Sequence, residues 1–440
     1  MALHRRTLLA YSGGILAAMA GCLGDDVRPN GGGTVAASSP EAPDARIVPD
    51  VSTEEIATLA AANTTFAFDW YETLIEHEPE DDHVVSPLSV SIALAMAWAG
   101  ARGETEAAMA DTLHFPFEQD DLHPACNGLV AELESRADAD VEGDPPELRI
   151  ANALWRDEAF EPREEYVETL GAHYGANPAA LDFGNAEETV DIVNDWVDER
   201  TEGTIPEILE KKHITDDLVV ILTNAIYLYA GWQYDFPEEA TEPATFEGMD
   251  GETGTVELMA QTERLPYAEI DGHQVIELPY VGGELAMVVL LPAADEFTSF
   301  EAALDADRFD TFVAALEPTY GTLALPRFEL EGSYTLRDQL SDLGMGIAFE
   351  RGRGDLSGIG GDKPYIADVL HEGYLAVEED GTEAAAATAV LIEDVDDSSP
   401  DEAFEMVVDR PFVAAIHDRD TGSVLFLGRM VDVPTDPAAD

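Results

Sequence analysis

His371-Glu372 could begin a zinc-hydrolase helix in this 440-residue chain, but position 375 is leucine, so H-E-x-x-H is incomplete. No G-x-S-x-G elbow presents a nucleophilic serine. Cys126 stands without metal-ligand spacing and reads as a buried thiol rather than a nucleophile. The most informative stretch carries no catalytic group. Residues 379–393 read Glu-Asp-Gly-Thr-Glu-Ala-Ala-Ala-Ala-Thr-Ala-Val-Leu-Ile-Glu. From Thr382 onward the even positions (Thr382, Ala384, Ala386, Thr388, Val390, Ile392) are small or apolar, and the odd positions begin and end with Glu383 and Glu393. Side chains on a strand alternate faces, so the stretch can lie in a sheet with one dry side. Alanine is nevertheless poor in permanent strands, and composition alone suits a helix or a linker as well. The pattern fits a strand that forms conditionally.

The flanking elements favour that reading. Gly373 to Glu379 reads as an apolar strand, Gly381 permits a hinge, Asp394 to Glu402 is an acidic loop, and Phe404 to Phe412 resumes strand character. Further elements are expected at Thr53–Glu76, Leu88–Ala101 (opened by Pro87 and apolar all round) and Glu188–Glu202 as helices. Leu218–Tyr229, Gln274–Pro279, Leu285–Leu291, Gly321–Leu330 and Val424–Val433 read as strands. Helices and strands mix without regular βαβ alternation, which argues an α+β fold.

Composition bounds the rest. A hydrophobic content of 45% supports a large core, and 91 acidic against 22 basic residues give a formal charge of −69. The acids run along the whole chain, and only Lys211, Lys212 and Lys363 are lysines. Such a surface repels itself until salt screens it, with a Debye length of about 3 Å at 1 M, so the expectation is an extreme halophile's protein. Nucleic-acid binding is excluded at this charge, and no EF-hand spacing occurs.

At the N-terminus Arg5-Arg6 precede an apolar run from Leu8 to Ala20 that is too short to span a bilayer, which points to twin-arginine export. Met19-Ala20-Gly21-Cys22 resembles a lipoprotein processing box, with Cys22 as the lipid attachment; an ordinary cleaved signal is the alternative. The expected organisation is a signal over 1–21, an acidic Gly/Pro-rich tether over 22–50, one domain over 51–434 and a tail over 435–440. The expected location is extracellular, at the outer face of the cell membrane.

Seven motifs in order resemble the serpins. They are Ser86-Pro87-Leu88-Ser89-Val90-Ser91; Asn194-Asp195-Trp196-Val197 with Thr201-Glu202-Gly203-Thr204-Ile205; Thr223-Asn224-Ala225-Ile226-Tyr227 through Gly231-Trp232 to Phe236; Leu325-Pro326-Arg327-Phe328; Asp355-Leu356-Ser357-Gly358; Arg410-Pro411-Phe412; and Leu425-Phe426-Leu427-Gly428-Arg429. The resemblance runs through nearly all of 51–434. It implies a serpin fold with mixed sheets and an exposed reactive-centre loop, and no enzymatic activity or cofactor. Serpin loop insertion is itself a standing example of a conformational switch. A serine protease cleaves the loop, and the freed segment enters the main sheet while the acyl-enzyme is still intact.

By the same resemblance Glu379, Gly381, Thr382, Glu383, Ala384, Ala385, Ala386, Ala387 and Thr388 form the hinge. Counting along the loop puts the reactive bond at Val395–Asp396, with Leu391 and Ile392 as the other apolar candidates. Ser86, Ser89, Asn224 and His371 match the polar cluster that holds the sheet closed, and Trp232 with Glu379 marks where insertion begins. Valine at the reactive bond suits an elastase-like or subtilisin-like protease, and no basic residue between Glu379 and Asp409 suits a trypsin-like one. A monomer is expected. The alternative is a non-inhibitory serpin acting as a binding or chaperone-like protein.

Overall fold

A computed structural model describes residues 40–41, 45–138, 145–215, 218–361, 364–382 and 403–434. In chain order the principal helices are α1 (Thr53–His77), α2 (Pro87–Trp98), α3 (Gly103–Thr112), α4 (Gln119–Glu134), α5 (Glu164–Tyr174) and α6 (Ala186–Arg200). The strands are β1 (His83–Val85), β2 (Glu147–Asp157), β3 (Ala179–Leu181), β4 (Val220–Gly231), β5 (Glu242–Glu247), β6 (Thr253–Ile270), β7 (His273–Pro279), β8 (Leu285–Leu291), β9 (Glu317–Pro326), β10 (Phe328–Thr335), β11 (Val369–Glu378), β12 (Gly381–Thr382), β13 (Ala403–Val407), β14 (Phe412–Asp418) and β15 (Val424–Met430).

Local chemistry sets the helix starts. Ser52 caps α1: its hydroxyl accepts the Glu55 N–H, and its own N–H donates to the Glu55 carboxylate, closing a capping box. Pro87 sits at the first turn of α2, where its missing N–H costs nothing. Every residue of α2 is buried, as a helix apolar on all sides requires. It passes through the middle of the core between α1, β15 and the strands β2 and β4.

The strands form two sheets. One has six strands in the order β10-β11-β12-β4-β2-β3; the other has nine, running β1-β15-β14-β8-β7-β6-β9-β13 with β5 beside β6. The middle strands of the six-stranded sheet are covered on both faces. Its inner face belongs to the main core with α1 and α2. Over its outer face lie α6 and the segment 201–215 that follows, hereafter the strap. Val193 and Val197 of α6 and Ile205, Ile208 and Leu209 of the strap pack on Trp155, Ala225 and Leu370.

Three expectations need correction. The stretch Gly321–Leu330 is not one strand: β9 ends at Pro326 in the nine-stranded sheet, and β10 starts at Phe328 in the other. Pro326 has no N–H, and Arg327 makes the last bond to β6, its N–H donating to the Glu257 carbonyl at 2.9 Å, before the chain crosses to the other sheet. Likewise Phe404 to Phe412 is two elements, β13 and β14, broken before Pro411. The helix expected to reach Ala101 stops at Trp98: the N–H groups of Gly100 and Ala101 bond the carbonyls three residues back, of Ala97 and Trp98, and close the last turn.

Candidate functional site: a partly split sheet

Two neighbouring strands of the six-stranded sheet, β11 and β4, run parallel and pair directly from Val369↔Leu222 to Glu372↔Ala225. Further along, β12 stands between them. Gly381 and Thr382 pair antiparallel with Glu378 and Val377 on one side and with Gly231 and Ala230 on the other. The sheet is therefore closed at one end and wedged apart at the other by the first residues of the conditional strand.

Closure centres on His371, which is wholly buried. The Ser86 amide N–H donates to its Nε2 at 3.0 Å. A nitrogen that accepts carries no hydrogen, so the proton sits on Nδ1, which donates to Asn224 Oδ1 at 2.7 Å. That fixes the Asn224 amide, whose Nδ2 donates to both Ser89 Oγ and Asn152 Oδ1. The imidazole lies against Trp70 and stacks on Tyr334, with ring centres 5.5 Å and 6.1 Å away. Burial holds its pKa down at about 3, so it is neutral. A second ring proton would point at the Ser86 N–H.

The wedged end rests on Trp232 and Glu379. The Trp232 indole N–H donates to the Glu378 carbonyl at 2.9 Å, and its ring stacks on Tyr280 at 4.6 Å. Backbone N–H groups of Trp232 and Phe236 donate to the carbonyls of Asp380 and Glu379, each at 3.0 Å. Glu379 is buried, which alone raises a carboxyl pKa. The Arg327 guanidinium, bonded to both its oxygens at 2.8 Å and 2.6 Å, and the Thr241 hydroxyl outweigh burial and hold it below the ordinary value. Thr382 points inward, buried, and shares a 2.6 Å hydrogen bond with the Tyr280 hydroxyl. Gly381 has φ +153°, and a Cβ there would lie 2.2 Å from the Ala230 carbonyl oxygen. Only glycine fits between the two strands.

Ser86, Ser89, Asn224 and His371 thus meet in one cluster, and Trp232, Glu379, Gly381 and Thr382 in another. Ser86 contributes differently from its expected part: its backbone N–H bonds His371, while its buried hydroxyl has no hydrogen-bond partner among the described residues. Glu383, Ala384, Ala385, Ala386, Ala387, Thr388, Leu391, Ile392, Val395, Asp396 and Cys22 lie outside the described residues. Sequence reasoning missed Asn152, Trp70, Tyr334, Thr241 and Tyr280. Arg327 lay within a quoted motif but carried no role. Cys126 is buried, and burial pushes its thiol up to about 12, which suits a packing residue. Among the described residues no group of three or more His, Cys, Asp or Glu side chains could hold a metal ion. No described helix is long and apolar enough to cross a membrane.

Comparison with known proteins agrees with this architecture. The family model "Serpin (serine protease inhibitor)" matches residues 61–433. A serpin-like protein of Thermococcus kodakarensis is 38% identical, covering 84% of this chain and 85% of its own length. The leukocyte elastase inhibitor of Bos taurus is also 38% identical, over 84% and 98%. Among solved structures, the native state of the thermophilic serpin tengpin superposes with a TM-score of 0.79 at 26% identity, covering 91% of this chain and all of that one. The chain belongs to the serpin family, and its fold is the serpin fold. The family is characterised by inhibition of serine proteases.

Proposed function

We propose that this chain is a suicide-type inhibitor of serine proteases that acts by loop cleavage, acyl-enzyme trapping and insertion of the cut loop into the six-stranded sheet. One observation carries the reading: Gly381 and Thr382 are already hydrogen-bonded on both sides between β11 and β4, so insertion has a nucleus. Carried on from Thr382, both registers bring Thr388 between His371 and Asn224. A strand passing there must break the 2.7 Å bond between them, and threonine offers each a hydroxyl in exchange. The serpin supplies no acid, base or nucleophile. Its contribution is the speed at which a strand forms.

The reading extends to partner and place. The reactive bond is Val395–Asp396, and the target is an elastase-like or subtilisin-like protease; leukocyte elastase inhibitors among the relatives support a small apolar specificity. The charge of −69 supports work in molar salt, and Arg5-Arg6 with Cys22 supports twin-arginine export and lipid anchoring at the outer membrane face. The test is to mix the protein with such proteases in molar salt. An adduct that survives denaturing electrophoresis, with mass spectrometry placing the cut after Val395, is expected. Clean hydrolysis without adduct would mean a non-inhibitory serpin.

A further inference from the structure

Glu372 occupies an unusual place. It is the last residue at which β11 still pairs directly with β4, opposite Ala225. Its side chain points to the outer face, opposite to that of His371, and lies half-buried under the strap. The strap residues Ile205, Ile208 and Leu209 pack on Leu370 and Ala225, the residues beside it, which brings Glu207 over it. Its carboxylate accepts a 3.1 Å hydrogen bond from Ser333, its cross-strand partner on β10. Glu331, two positions along β10 on the same face, is the other charge acting on it.

Among the described residues no cation pairs with these three carboxylates. Arg149 of β2 is held by Glu147 and Glu202; Lys211 and Lys212 are paired with Glu187 and Glu210; His213 faces Asp368. The same face also carries Glu329, Tyr374, Glu378, Tyr227 and Tyr229, and His371 lies on the opposite one.

We propose that Glu372 is a proton-controlled latch on the main sheet: protonated, it lets the strap seat on the β11–β4 seam, and ionised, its repulsion from Glu207 and Glu331 loosens the strap where an inserting strand must pass. Carried on from Thr382, the registers run Ala387 between Glu372 and Ala225, so the latch guards the step just before the His371–Asn224 bond. Burial, with the two neighbouring carboxylates, raises Glu372 to about 7, which puts the change near neutral pH. The sign is definite. A raised carboxyl favours the closed state fully at low pH and loses that contribution as pH rises through about 7.

The measurement is amide hydrogen exchange of Val369–Glu372 in the intact full chain, wild type against Glu372→Gln, from pH 5 to 8; the ratio of the two cancels the intrinsic pH dependence. The ratio should be smallest at pH 5 and rise with pH, the wild type opening at least about tenfold faster at pH 8 than at pH 5 relative to the variant. A ratio that stays flat, or a variant that opens faster at every pH, overturns the latch. Glu207→Gln, at an exposed position, keeps the idea testable should Glu372→Gln misfold. It should slow wild-type opening at pH 8 and do nothing at pH 5; no effect at pH 8 also overturns it. No protease is present, so failure of protease trapping leaves this result standing, and the reverse holds equally.

Discussion

Nδ1 of His371 lies 2.7 Å from Oδ1 of Asn224, and the same two residues are register partners in the parallel pairing of β11 with β4. Side-chain and backbone closure therefore coincide at one point of the seam. Because the Ser86 N–H occupies the other ring nitrogen, the cluster works only with a neutral imidazole. His371 in the fold titrates near 3 against 6.5 when exposed, so between those values the unfolded chain binds the extra proton. Stability from this group is complete above pH 6.5 and falls as acid approaches pH 3, by about 1.4 kcal/mol per pH unit. Urea unfolding of wild type and His371→Gln across pH 4–7 should show the variant losing that slope. Parallel curves would remove His371 from the account.

Thr382→Arg tests the wedged end. Thr382 is buried against Tyr280, and an arginine there would place an unpaired charge between two strands. Folding should survive, since β12 is only two residues long and can withdraw. Titration against a susceptible protease should show adduct falling and cleaved chain rising, so that the inhibitor becomes a plain substrate. Undiminished adduct would contradict the role given to Thr382.

Gly381→Ala asks a narrower question. A methyl 2.2 Å from the Ala230 carbonyl oxygen cannot be relieved by side-chain motion, because the obstruction is backbone. The expected outcome is expulsion of β12, seen as faster amide exchange at Val377 and Glu378, with the His371 cluster and the global unfolding midpoint little changed. Unaltered exchange at those two residues would mean that the strands part easily enough to admit a side chain.

Removing Arg327 strands the buried Glu379 carboxylate with Thr241 as its remaining side-chain partner. Leaving such a charge uncompensated costs about 3 kcal/mol. Arg327→Ala should therefore lower the urea midpoint, and Arg327→Ala with Glu379→Gln should recover much of the loss. Glu379 titrates below its ordinary value in the fold, so its stabilisation is present above the unfolded pKa of 4.5 and fades as pH drops through the folded one. The single variant's deficit should shrink below pH 4.5. A deficit independent of pH would point to lost packing instead.

Much of this was legible in the sequence, for particular reasons. The apolar wrap of α2 and the run Leu285–Leu291 each depend on local pattern, and the structure follows them closely. The motif Asn194-Asp195-Trp196-Val197 has a visible cause: Asn194 Oδ1 accepts the N–H groups of Ile208 and Leu209 and its amide bonds the Leu209 carbonyl, tying α6 to the strap. What could not be read was the partner of each strand. The large apolar residues shift from odd positions (Leu323, Leu325) to even ones (Phe328, Leu330) across Pro326-Arg327, a change of phase that marks a break but not the sheet to which each half belongs. Asn152 and Tyr334 join the His371 cluster through cross-strand register, which no linear spacing encodes. Glu372 read only as half of an incomplete zinc motif, and its place under the strap comes from the fold.

Cleavage of the loop should raise the melting temperature. The intact sheet pairs β11 with β4 directly along only four residues, and β12 fills two positions of the space between them. A full strand there adds about a dozen ladder hydrogen bonds at ~1 kcal/mol each, on the order of 10 kcal/mol in all, comparable to the whole stability of many domains. The His371–Asn224 bond and the direct β11–β4 pairing must be given up, so the net gain is smaller but the sign holds. Protein nicked by a catalytic amount of protease, then freed of it, should melt more than about 10 °C above the intact chain at equal salt. In the nicked form amide protection should extend along β11 and β4 past Gly373. Identical melting of the two forms would mean that the intact sheet already sits in its lowest state, and protease trapping by insertion would then have no driving force.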